Sequence, residues 1–176
     1  MSFRIRPATP RDREAVAALL RASYGTLLRD AYDAGVLERA LPFLTRPNPS
    51  LLACGTYYIA EFSGLGPCGC GGWTFARPGD PQARIDATVG HVRHFATHPD
   101  AVRQGVGQCL MDTCVEVARG AGVRRLECVS TRQAVPFYRA VGFCVLAPVP
   151  VRLGKDVVLP GTAMVLDLDD APAEGV

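Results

Sequence analysis

Hydrophobic positions along this chain change period several times, and each change marks an element. Phe3 and Ile5 alternate with Arg4 and Arg6 from Ser2 to Pro7, which predicts a first strand with one buried face. Thr9-Pro10-Arg11-Asp12 then opens a helix: Thr9 caps, Pro10 takes the first helical position and Asp12 complements the helix dipole. Val16, Leu19, Leu20 and Ser23 continue its inner face. A second helical stretch, about Tyr32 to Phe43, ends before Arg46-Pro47-Asn48-Pro49, because proline has no amide hydrogen to extend the ladder. Thr56 to Phe62 and Gly69 to Phe75 read as two strands around a long hairpin loop, Ser63-Gly64-Leu65-Gly66-Pro67. Pro78 to Thr88 is a polar, turn-rich excursion, Thr162 to Leu168 alternates as a final strand, and Asp169 to Val176 is expected to fray.

The stretch from Gly90 to Phe143 is the most ordered in pattern. His91 to Thr97 predicts a strand closed by His98-Pro99-Asp100. Gly105-Val106-Gly107 follows, and Val106, Leu110, Cys114, Val117 and Ala121 then recur at helical spacing through Gly120, with Gly122 as the stop. Val123 to Val129 alternates as a second strand, and Ser130-Thr131-Arg132-Gln133 supplies caps for a short helix from about Arg132 to Val141, ended by Gly142. A last strand begins at Phe143. Strand, helix, strand, helix, strand implies right-handed crossovers and a largely parallel local sheet. Glycines with unpaired N–H groups at a helix start hold phosphate oxygens well, since no Cβ blocks the approach.

The pieces Val102-Arg103-Gln104-Gly105-Val106-Gly107, Thr131-Arg132-Gln133-Ala134-Val135-Pro136-Phe137-Tyr138 and Gly142-Phe143, in that order, resemble the GNAT superfamily of acetyl-CoA-dependent N-acetyltransferases. The resemblance implies one α/β (α+β) domain over residues 1–176, with a mixed central sheet of about six to seven strands, about four flanking helices and a cofactor-binding core at 90–147. It further implies that the backbone of Phe95, Ala96 and Thr97 runs along the pantetheine of acetyl-CoA, that Val102 to Gly107 hold the pyrophosphate, that Thr131 and Phe137 border the cofactor, and that Tyr138 faces the sulfur. Two positions depart from the family pattern: Val102 stands where Arg or Gln is usual, and Thr131 where Asn is frequent. If backbone amides do the holding, valine costs little, because it keeps its own N–H.

Composition narrows the classes. Apolar residues make up 48% of 176 residues, and no apolar run reaches bilayer length, so a compact protein without a membrane role is expected. No charged segment followed by an apolar stretch opens the chain, which points to the cytoplasm. A net charge of +2, with no block of like charges, gives no footprint for nucleic acid. Seven cysteines form no paired framework and read as reduced thiols; Cys68 and Cys70 make a C-x-C without a second pair, so no metal is expected there.

Acetyl transfer needs donors for a developing oxyanion, a partner for the leaving thiolate and a base for the incoming ammonium. Tyrosine's ordinary pKa of about 10 against about 8.5 for a thiol makes full proton transfer uphill by roughly 2 kcal/mol, so Tyr138 is expected to stabilise the thiolate by a hydrogen bond. Among His91, His94 and His98, the odd offset in a strand puts His91 and His94 on opposite faces, which argues against a shared metal. His91 is the preferred base, on its early strand position and its shared parity with Arg93 and Phe95, with His94 the competitor and His98 a turn residue. Three readings stay open: direct transfer to a primary amine of a small molecule or protein in a ternary complex, a non-catalytic acyl-CoA-binding regulatory domain, and a covalent route through Cys128 or Cys109. Homodimerisation through a sheet edge is a possibility that such folds carry.

Overall fold

The computed structural model describes residues 3–63, 66–80 and 82–169. The expected fraying of the tail therefore lies outside the described residues, apart from Asp169, as do Gly64 and Leu65 of the hairpin loop. The order is β1 (Phe3–Pro7), α1 (Arg13–Leu27), α2 (Ala34–Leu44), α3 (Pro49–Ala53), β2 (Tyr57–Phe62), β3 (Gly66–Thr74), β4 (Val89–Thr97), α4 (Val106–Gly120), β5 (Arg125–Thr131), α5 (Val135–Ala140), β6 (Cys144–Leu153) and β7 (Val157–Asp167).

All seven strands form one mixed sheet in the order β1-β2-β3-β4-β5-β7-β6. The expectation of a largely parallel centre is corrected: among the described residues β4 and β5 are its one parallel pair, while β7 inserts antiparallel between β5 and β6. The reason is the tight Gly154-Lys155-Asp156 turn, with Gly154 at φ 68°, which sends the chain straight back as a hairpin and leaves β6 at the edge. Pro148 and Pro150 fit there because an edge strand has a side on which no amide hydrogen is required. A fifth helix, α3, adds to the four expected: Asn48 accepts the Ser50 N–H at 2.9 Å and Pro49 starts the turn.

Helices cover both faces. Val106, Leu110, Met111, Cys114 and Ala118 of α4 pack on Tyr58, Ala60, Trp73, Val92, Leu126 and Met164. Ala118 takes the buried place expected of Val117, which is 37% exposed, because Met111 widens the buried stripe and centres it near Cys114, leaving Val117 at its edge. On the opposite face Val16, Leu19 and Leu20 of α1 and Leu51 and Leu52 of α3 cover Tyr57, Ile59, Cys70 and Ala96. Leu37 and Ala40 of α2 sit with Leu159, against Val151 and Leu153 of the β6–β7 hairpin.

The entry to α1 is pinned by charge. A short 3-10 turn, Pro10–Asp12, precedes the helix, and the Asp12 carboxylate accepts the Thr9 N–H (2.7 Å) and hydroxyl (2.9 Å), so the side-chain bond at this cap runs from Thr9 to the acid. The Arg6 guanidinium donates to both Asp12 oxygens (2.9 and 2.7 Å) and to Glu61 (2.7 Å). Arg6 thereby holds the Asp12 carboxyl down at about 2. A folded pKa below the unfolded value gives stability that is complete above the ordinary 3.8 and lost as pH falls toward 2. Asp12→Asn is expected to lower the unfolding free energy by about 1–2 kcal/mol at neutral pH, with the gap to wild type closing as acid protonates Asp12, read by urea denaturation across pH.

Candidate active site

The sheet parts at its middle. β4 and β5 pair through three positions, Val89 with Arg125, Gly90 with Leu126 and His91 with Glu127, and beyond them the strands separate into a cleft. The bend lies in β4. Its register to β3 jumps from Cys70 opposite Ala96 to Gly72 opposite Arg93, so His94 and Phe95 together face Gly71, and His94 stands at φ 45°. Such a bulge turns a strand away from its neighbour, and a non-glycine residue there carries roughly 1–3 kcal/mol of strain that its surroundings must offset.

The bulge also overturns one expectation. Val92 and Phe95 both meet the cluster under α4 and α5, although their offset is odd. Parity therefore reverses at His94, and His91 and Arg93 project on the face opposite Phe95. The shared parity of His91, Arg93 and Phe95 fails for this reason.

At the cleft mouth, β4 runs into the loop before α4. His98 caps its first turn, as expected of a turn residue, with Nδ1 accepting the Asp100 N–H at 3.2 Å. Arg103 (φ 61°) and Gly105 (φ 81°) both take left-handed backbone, and a Cβ at Gly105 would meet open space. The conformation, not crowding, requires glycine at 105. Gln104 ties the loop by donating to the Asp100 carbonyl at 2.7 Å, and Val106, 1% exposed, anchors it in the core. Val102 to Gly105 stay exposed; the Val102 N–H turns back to the Pro99 carbonyl at 3.5 Å, and the amides from Arg103 into the first turn of α4 form a cradle suited to an anion.

Side chains from β4, α5 and the turn after α5 meet in the cleft wall. The Phe95 ring lies 6.1 Å from Phe137 and 6.3 Å from Tyr138, and Tyr138 touches Phe143 edge-on at 5.2 Å. A Cβ at Gly107 would come within 3.0 Å of Phe137, which fixes how closely α5 approaches the start of α4. Tyr138 is 6% exposed, and burial, with Cys128, Tyr24 and Cys114 nearby, pushes its phenol well above the usual 10. Its hydroxyl bonds to none of the described residues, so it remains a protonated donor free for a ligand. Thr131 ends β5 at the lip of α5, its hydroxyl making no cap bond. Ala96, by contrast, points into the core under α1, and Thr97 is half-buried.

The other face of the cleft carries charge. His91 Nδ1 lies 3.7 Å from Glu127, which Arg77 also meets at 3.6 Å. Burial lowers the His91 pKa from its ordinary 6.5, with Glu127 opposing and Arg77 and Arg93 adding to the effect. Arg93 donates to the Thr74 hydroxyl at 3.0 Å. His94 is more deeply desolvated, and burial, then Arg93, brings it to about 4. Among the described residues no group of three His, Cys, Asp or Glu is arranged to hold a metal. Cys68 and Cys70 fall in different clusters, because a register slip at Ala60–Glu61 puts them on opposite faces of β3. Burial raises the Cys128 thiol to about 12, which disfavours it as a nucleophile.

Sequence reading missed Tyr24, Glu127 and Arg77. Tyr24 reaches from α1 across to β4, its hydroxyl donating to the Phe95 carbonyl at 3.0 Å. The signal was present: Tyr24 extends the Val16–Leu20 stripe by one further turn. Glu127 had only strand alternation, and no local pattern joins it to His91.

Three comparisons bear on this cleft. The chain aligns over 95% of its length, and 96% of the other's, with a GCN5-related N-acetyltransferase from Rhodopseudomonas palustris at 22% identity and TM-score 0.76. It is similar to the PaiA N-acetyltransferase of Thermoplasma acidophilum, solved with coenzyme A (16% identity, 95% and 99% covered, TM-score 0.70). It is likewise similar to YncA of Salmonella typhimurium, a putative acetyltransferase solved with acetyl-CoA (20% identity, 100% and 99% covered, TM-score 0.64). These likenesses show the fold. The family profile of the acetyltransferase (GNAT) family matches residues 17–143, most of the chain and the whole of the cleft, and the chain belongs to that family.

Proposed function

We propose that this protein transfers an acetyl group from acetyl-CoA to a primary amine by direct attack in a ternary complex. The observation that carries the reading is the parting of β4 from β5 directly above an anion cradle. A pantetheine arm takes the place of the missing rungs along Phe95, Ala96 and Thr97, and the pyrophosphate lies on the amides of Arg103, Gln104, Gly105, Val106 and Gly107. Thr131 and Phe137 border the arm. The amine nitrogen attacks the thioester carbon, the new C–N bond forms as C–S breaks, the proton that the nitrogen then sheds ends on the departing sulfur, and Tyr138 donates a hydrogen bond to the thiolate as it leaves. His91, neutral at physiological pH, takes the ammonium proton before attack.

Calorimetry with CoA and acetyl-CoA, followed by thiol release over an amine panel, tests the reading. Binding with release to an amine supports it; binding without release from any amine favours the non-catalytic alternative, and no binding sinks both. The pH profile then tests His91. A base with a depressed pKa keeps its unprotonated form to lower pH, so the acidic limb of kcat/KM is expected below 6.5 and is expected to vanish, with the rate, in His91→Gln. A limb unchanged in that variant removes His91 from the role.

A further inference from the structure

The bulge in β4 is held from one side by groups that the proposed transfer does not use. The His94 carbonyl accepts the Tyr57 hydroxyl at 3.1 Å and the Cys70 thiol at 3.7 Å, and the Phe95 carbonyl accepts the Tyr24 hydroxyl at 3.0 Å. These donors come from β2, β3 and α1 and meet in the cluster beneath α1, where Tyr57 is 2% exposed and Cys70 fully buried. Consecutive carbonyls of an unbroken strand point in opposite directions; here both are met from the same face. Three donors converge on two adjacent carbonyls at the residue whose φ of 45° most needs holding.

We propose that Tyr57 and Tyr24, with Cys70, are positioning residues that lock the peptide planes of the bulge and so aim the Phe95 N–H into the cleft at the thioester carbonyl. The peptide between His94 and Phe95 is trans, so its N–H points opposite to its C=O. With that carbonyl drawn into the core by Tyr57 and Cys70, the Phe95 N–H faces away from the cluster, toward the side where Phe137 and Tyr138 line the cleft. A donor fixed before the substrate arrives stabilises developing negative charge without reorganising, which is where such groups gain their effect. Burial raises the pKa of both tyrosines, and of Cys70 to about 12, so all three stay protonated and keep donating across the working pH range.

The inference rests on the acetyl-transfer reading, and its test needs no knowledge of the acceptor. The infrared carbonyl stretch of acetyl-CoA, carbon-13 labelled at the carbonyl, is read free and bound. Wild type is expected to lower the stretch on binding. Tyr57→Phe and Tyr24→Phe are expected to bind acetyl-CoA with near wild-type affinity while most of that displacement disappears. Tyr58→Phe, whose ring lies in the cluster on the other face, leaves the displacement intact. Should Tyr57→Phe fail to fold, Tyr24→Phe carries the test alone, since it holds the next carbonyl. Bound acetyl-CoA with no displacement in wild type, or the same displacement in both variants, overturns the brace and leaves the transfer reading standing. No acetyl-CoA binding by wild type overturns both.

Discussion

Replacing Tyr138 with phenylalanine is expected to slow acetyl transfer by at least roughly ten-fold while leaving acetyl-CoA affinity within about two-fold. The change is close to a pure hydroxyl deletion. Phenylalanine keeps the ring contacts with Phe95, Phe137 and Phe143 that seat α5 on the sheet. The hydroxyl bonds to none of the described residues, so its removal orphans no partner inside the protein. Whatever is lost is therefore lost toward the substrate. Burial pushes the phenol far above 10, which strengthens the case for a hydrogen bond to the thiolate over full proton transfer, with the proton delivered as the product leaves. Single-turnover thiol release with calorimetry on the same sample checks it, and an unchanged rate takes Tyr138 out of the chemistry.

Gly71→Ala should be the most damaging single methyl in the cleft. A Cβ there falls 2.5 to 2.7 Å from three atoms of the Phe95 ring, including the one that joins the ring to its Cβ, so no small swing of the tip relieves the overlap. The ring must leave its place, and with it go the contacts to Phe137 and Tyr138. Overpacking of this kind costs about 1–3 kcal/mol, and here it also displaces the wall along which the cofactor is proposed to lie. Affinity for acetyl-CoA is expected to fall at least roughly ten-fold, alongside a lower Tm. Retention of wild-type affinity in a folded Gly71→Ala variant would show that the Phe95 ring does not shape the cofactor path.

Local rules made most of the fold legible. The inner faces of α1 and α4, the strand before the glycine loop, and the short helix carrying Phe137 and Tyr138 each follow from spacing within a dozen residues. What escaped depends on partners distant in sequence. The strand expected to begin at Phe143 is β6, but Pro148, Pro150 and Pro160 hid its length and the start of β7, because proline argues against a strand unless one knows that the strand is an edge, or that its neighbour has already ended, as β5 has beyond the pairing of Thr131 with Gly161. The β4 bulge was invisible because it is set by what lies across from it, Gly71 and the hydroxyls of Tyr57 and Tyr24, and that one hidden residue reversed the inferred side of Phe95. The His91–Glu127 pair belongs to the same class: two strands bring it together, and neither strand announces it.

The three-rung join between β4 and β5 has a consequence for the molecule as a mechanical object. The sheet is two half-sheets, a meander of β1 to β4, on which α4 packs, and the trio β5-β7-β6, and side chains of both halves join one core cluster. On the proposed reading the cofactor arm is a temporary eighth strand that closes the seam while it is bound, and every turnover reopens it when CoA departs. The protein's firmness then follows the supply of its own co-substrate, tightest when acetyl-CoA is plentiful and slackest when the pool is spent.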